Sequence, residues 1–230
     1  MTARAHPIVA AAALLLGLVA APTPARAQLD DRDLIYAGLA MAVPTYVLGV
    51  VAHEGSHAVA GTLVGAELVS ISFLPGRDPK TGAFHFGLTR VRGLRGDGRR
   101  AFFLAAPKLT DLVLLGGYGA LVAADAWPEH RYGRLALTVL ATGFWVDFAK
   151  DVISFREVND VVKLMTLAGW KSEWRRLPSR LLYAGASVGL GYLVWKGFDK
   201  TFADEVTATA RPSPGADDGV VMIHVGGGRF

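Results

Sequence analysis

The chain has 230 residues, 52% of them hydrophobic and only 19% charged, with a formal net charge of +4 and a positive mean hydropathy. It contains no cysteine, which excludes disulfides and thiolate metal sites, so any metal must be held by His, Asp or Glu. The apolar excess points to a membrane protein, no nucleic-acid partner is expected, and the placement of the positive residues matters more than their sum.

Residues 1–27 read as a secretory signal peptide. Arg4 supplies the positive start, Ile8 to Ala21 the apolar stretch, and Ala25-Arg26-Ala27 an A-x-A cleavage site. Cleavage starts the mature chain at Gln28, outside the cytoplasm. The membrane core is expected over 28–198 and a flexible tail over 199–230.

The first membrane segment is Leu34 to Val64, longer than the roughly 20 residues a span needs, so it tilts or projects. Pro44 is expected to kink it. Gly61 and Gly65 form a small-xxx-small pair suited to close packing. Within this segment lies His53-Glu54-Gly55-Ser56-His57. Two His four residues apart share one helix face about a turn apart, so both imidazoles reach one Zn²⁺. Glu54 points round the helix from the metal axis, where it can take a proton from an activated water. HExxH is a short pattern, and two satisfied histidines on a soluble surface are the bland reading. The setting opposes it. Ala37 to Ala52 and Ala58 to Ala66 carry no charged side chain, so three ionisable groups lie at membrane depth, where they are costly and mark function.

Residues 66 to 92 change character. ELVSISF and AFHFGLTRV alternate around the turn-forming PGRDPKTG, which predicts a β-hairpin or small sheet. His85 lies in its second strand. GLRGDGRR (93–100) reads as a basic linker. A second apolar segment, Ala101 to Trp127, contains Pro107, and Lys108 pairs with Asp111 at i,i+3. The third runs from Leu135 to about Ile153 and is interrupted by Asp147, Lys150 and Asp151. A loop and amphipathic helix follow, with Asn159-Asp160 at the helix start, where Asn or Asp caps well. The last span is Leu181 to Phe198. The fold class is therefore mainly α: a polytopic membrane protein with about four transmembrane helices after the signal peptide and a small β element behind the HExxH helix.

From HEGSH in a membrane helix, through GTLVGAELVSISF into a hairpin, to a helix with Ala105-Ala106-Pro107, the chain resembles the site-2 protease family of intramembrane zinc metalloproteases. The resemblance covers roughly residues 34 to 165. It implies zinc-dependent cleavage of membrane-associated protein or peptide substrates by metal-activated water. His53 and His57 would be ligands, Glu54 the general base, and an Asp the third ligand. The hairpin would hold an unwound substrate as an added strand. The family's second motif carries an Asn where Thr110 stands here, and its ligand Asp sits in a Leu-Asp-Gly that this chain lacks. The nearest substitute is Asp160 after Asn159, with Asp147, Asp151 and Asp111 as alternatives and His85 as the arguable histidine. The weakened motifs keep a catalytically inactive membrane scaffold open, and a transporter or lipid-modifying enzyme behind it. Soluble zincin patterns fit worse: Ala60 and Leu63 stand where a metzincin needs Gly and His, and Gly82 to Trp127 contains no Glu for a gluzincin. The substrate-binding residues are not legible.

Charge gives an orientation in what is expected to be a bacterial plasma (inner) membrane. Residues 65–100 carry seven Lys/Arg against three Asp/Glu, 150–180 seven against four, and 199–230 three against five. By the positive-inside rule both basic regions face the cytoplasm and the acidic tail the outside, in agreement with the cleaved leader and four spans. A reporter fused after Asp97 should therefore read cytoplasmic and one after Asp218 external; the reverse at both sites overturns the orientation.

Overall fold

The computed structural model describes residues 30–78, 82 and 84–203. The expected leader, and the expected tail from residue 204 onward, lie outside the described residues. The charge-free apolar run builds the longest helix, α1, Asp31–Leu63. Asp30 caps its N-terminus by accepting from the Arg32 N–H, and Asp31 and Asp33 in the first turn suit the positive end of the helix dipole. Pro44 lies inside α1, which continues to Leu63. The helix ends in a Schellman cap. Gly65 takes φ +79°, which a side chain rarely tolerates, so that its N–H reaches Thr62 O and the Ala66 N–H reaches Gly61 O. Gly65 is thus a helix stop. Gly61 is the packing glycine: a Cβ there would meet Val91 and Phe103 at 3.0 and 3.5 Å.

Two small antiparallel sheets follow. β1 (Glu67–Ser72) pairs with β4 (Leu88–Arg92), and β2 (Gly76–Arg77) pairs with β3 (Phe84–His85). A register irregularity falls between Leu68 and Ser70. The 93–100 linker is shorter than expected, because α2 already begins at Asp97 and runs to Ala123. α3 spans Arg131–Ala149 and passes into a 3₁₀ turn, Lys150–Ile153. The amphipathic stretch divides in two. α4 covers only Asp160–Leu167, stopped by a second Schellman cap at Gly169 (φ +84°), and α5 runs unbroken over Glu173–Phe202.

α3 is the central helix and touches α1, α2 and α5. Its Phe144 and Phe148 form one core with Leu115, Tyr118, Val122 and Val194, and its Leu135 and Ala136 form another with Leu34 and Met41. The outer faces are apolar too. Ile35, Leu39, Val43 and Val59 on α1, Val113 on α2, and Leu182 and Val188 on α5 are all exposed. Outward faces this apolar suit lipid rather than water. Two of the described helices, α1 and α2, are long and apolar enough to cross a membrane. α3 carries Arg131, Arg134 and Asp147, and α5 is diluted by glycines, aromatics and Lys196.

Among the described glycines the tightest setting is at Gly197, where a Cβ would collide with Tyr118 Oη and lie 3.0 Å from Thr138 Oγ1. Those two hydroxyls share a 3.0 Å hydrogen bond in the core. Gly197→Ala should cost about 1–3 kcal/mol by overpacking, read as a lower unfolding temperature in detergent. Gly189→Ala, where a Cβ meets nothing within 4 Å, should be silent; equal losses in both would contradict this packing.

Candidate metal centre

The i,i+4 spacing in α1 sets the two imidazoles side by side, with ring centroids 5.2 Å apart. Each ring is fixed by its Nδ1. His57 Nδ1 donates to the Phe103 carbonyl of α2 at 2.8 Å, and Phe103 also stacks on the ring at 4.5 Å between centroids. His53 Nδ1 donates to Asp147 Oδ2 of α3 at 2.9 Å. A carbonyl and a carboxylate accept only, so each Nδ1 carries a proton, and a neutral ring in this orientation leaves its Nε2 lone pair for a metal.

Both Nε2 atoms turn towards Asp160, the first residue of α4. Asp160 Oδ2 lies 3.0 Å from His57 Nε2 and 3.7 Å from His53 Nε2. Asn159 sets this helix start by accepting from the Val161 and Val162 N–H groups.

With both rings neutral, three acceptors face one another, an arrangement that a cation between them would relieve. Among the described residues, one group of His, Asp or Glu side chains converges in this way: His53, His57 and Asp160, with ligand atoms within 4.8 Å of one another. Tetrahedral zinc with bonds of roughly 2.0–2.1 Å separates its ligand atoms by about 3.3 Å. The 3.0 and 3.7 Å spacings bracket that value. Three protein ligands leave a fourth position for water or substrate, the pattern of catalytic rather than structural sites. The donor set fits a divalent metal.

Glu54 is buried beside the pair and is held from the hairpin. Thr89 Oγ1 lies 2.8 Å from Glu54 Oε2 and 2.9 Å from the Glu54 carbonyl, and it donates to one of them at a time. Gly87 makes the room. A Cβ there would fall 2.6 Å from Glu54 Cγ and 2.8 Å from Oε1.

The other residues weighed from sequence lie elsewhere. Asp147 reaches His53 from the far side of the ring, as an orienting carboxylate of the kind that commonly backs metal-binding histidines. Asp111 and Asp151 both pair with Lys108. His85 sits opposite Gly76 in the β2–β3 sheet. Sequence reasoning missed the Phe103 carbonyl and Thr89. A backbone carbonyl leaves no mark in sequence, and Thr89 is one of many strand threonines.

A family model described as Peptidase M50B-like matches residues 9–221. No curated protein and no solved structure gives a match.

His53→Ala and His57→Ala should abolish zinc retention by the purified protein, and Asp160→Ala should weaken it severely. Elemental analysis measures this directly. Unchanged zinc in any one variant removes that residue from the ligand set.

Proposed function

The chain belongs to the Peptidase M50B-like family, the site-2 protease family, and from that premise we propose that it is a zinc-dependent intramembrane endopeptidase acting on membrane-associated protein substrates. The observation that carries this reading is the convergence of His53 Nε2, His57 Nε2 and Asp160 Oδ2 on one point. When bound there, zinc supplies a Lewis acid that lowers the pKa of a coordinated water towards about 7 and polarises the scissile carbonyl.

The chain's own residues do the rest. His53 and His57 are held with Nδ1–H outward, because Asp147 and the Phe103 carbonyl occupy that side, so their Nε2 atoms are the ones that would hold the metal. Glu54 accepts the proton of the attacking water and delivers it to the leaving amine. Thr89 and the space at Gly87 set its rotamer. A helical peptide bond is shielded, so the substrate must be extended. Among the described residues β1 pairs with β4 alone, and its other edge can take an extended segment as a further strand.

The membrane reading extends to four spans, α1, α2, α3 and α5. The apolar exteriors of α1, α2 and α5 support it, as does the charge asymmetry around residues 65–100 and 150–180. The metal centre then lies towards the cytoplasmic side of an inner membrane.

Glu54→Gln keeps size and removes the base. It should retain zinc and lose cleavage of a model transmembrane peptide by about 10²–10⁴-fold, at the upper end of the range for general-base loss. A variant that cleaves like the parent removes the protease reading. A parent that holds zinc and cleaves nothing favours the inactive scaffold.

A further inference from the structure

Lys108 stands one residue after Pro107 in α2 and is only 7% exposed. Its Nζ lies 2.8 Å from Asp147 Oδ2, 2.6 Å from the Asp147 carbonyl, 3.2 Å from Asp111 Oδ2 and 3.1 Å from Asp151 Oδ2. An ammonium has three protons, so all of them are engaged. Asp147 Oδ2 is the same oxygen that accepts the His53 Nδ1–H. Asp151, 2% exposed, accepts at Oδ1 from Asn159 Nδ2 at 2.7 Å. Asn159 caps α4, whose first residue is Asp160. One cation is therefore tied along two short paths to both kinds of ligand: through Asp147 to a histidine of α1, and through Asp151 and Asn159 to the carboxylate of α4.

We propose that Lys108 is a positioning residue of the metal centre, which holds Asp147 on His53 Nδ1 and the Asn159-Asp160 helix start in place, and so fixes the geometry in which both elements meet one metal ion. The inference rests on the metal-dependent reading of the site. Without the cation, three carboxylates face one another in an apolar setting, and like charges at that separation drive apart. Asp147 has an alternative partner in Lys150, which already engages its other oxygen at the half-exposed end of α3. Turning towards Lys150 would release the His53 ring. That ring would then be free to exchange tautomers and rotate. Lys108 also lines an apolar cavity of about 760 Å³ between α2, α4 and α5.

The test uses the full chain purified in detergent, with zinc affinity from chelator competition and ¹⁵N resonances of the labelled histidine rings. Lys108→Met should weaken zinc about 10–100-fold, the loss typical of outer-shell partners, and should change the ¹⁵N resonances of the His53 ring as it loses its fixed Nδ1 partner. Lys108→Arg should restore both within a few-fold. Lys108→Met combined with Asp147→Asn should lose less zinc affinity than the two single losses added together, because the Asp147–His53 path is common to both and only the Asp151–Asn159 path is lost anew. Affinity and ring resonances unchanged in Lys108→Met, or losses that simply add in the double variant, overturn the proposal. If Lys108→Met does not fold, Lys108→Gln keeps a donor without the charge and is read in the same way. A parent chain that binds no zinc overturns the metal reading itself, whereas a zinc-binding parent matched by its Lys108 variants overturns only the role of Lys108.

Discussion

The centre depends on what happens at the two Nδ1 atoms. An imidazole offers two nitrogens, and a ring free to rotate or exchange tautomers makes a poor ligand. Here the Phe103 carbonyl and the Asp147 carboxylate take the two Nδ1 protons from opposite sides. Both Nε2 lone pairs are thereby committed to the gap where Asp160 arrives. α1 brings only the rings. α2 and α3 bring the acceptors that decide how the rings face, and α4 brings the carboxylate.

That arrangement explains why ionisable groups are tolerated among helices whose outer faces are apolar. A buried charge is expensive unless paired and hydrogen-bonded, and a half-satisfied network is worse than an apolar core. Lys108 meets three carboxylates, two of which have further partners of their own in His53, Lys150 and Asn159. The network supplies little net stability over a well-packed apolar core. It supplies a fixed geometry, at the place where helices from four parts of the chain meet.

The hairpin serves the same centre from the other side. Its second strand lays Thr89 against Glu54, and the glycine two residues before leaves the space that the glutamate side chain fills. Gly61, one turn after His57, lets Val91 of β4 and Phe103 of α2 approach the helix closely. The element that carries the base and the element suited to hold an extended chain are therefore packed as one unit.

What is local was legible in the sequence. The i,i+4 histidines share a face because a helix has 3.6 residues per turn, and the charge-free flanks made that helix long and apolar. The alternating runs gave the strands, the Lys108–Asp111 spacing gave one ion pair, and Asn159 gave a helix start. Boundaries were less legible. Asp97–Arg100 joined α2 although its composition suits a linker, and the amphipathic stretch was cut by the left-handed turn at Gly169. What joins residues far apart in the chain was decided by packing alone. Asp147 is 94 residues from His53, Asp160 is 103 from His57, and Phe103 acts through a backbone carbonyl that every residue has. In sequence only its place after Asn159 and the family resemblance set Asp160 ahead of Asp111, Asp147 and Asp151. Tertiary structure gives three of them to a lysine and one to the Nε2 side of the histidines, because only the crossing of α2, α3 and α4 over α1 sets which carboxylate meets which nitrogen.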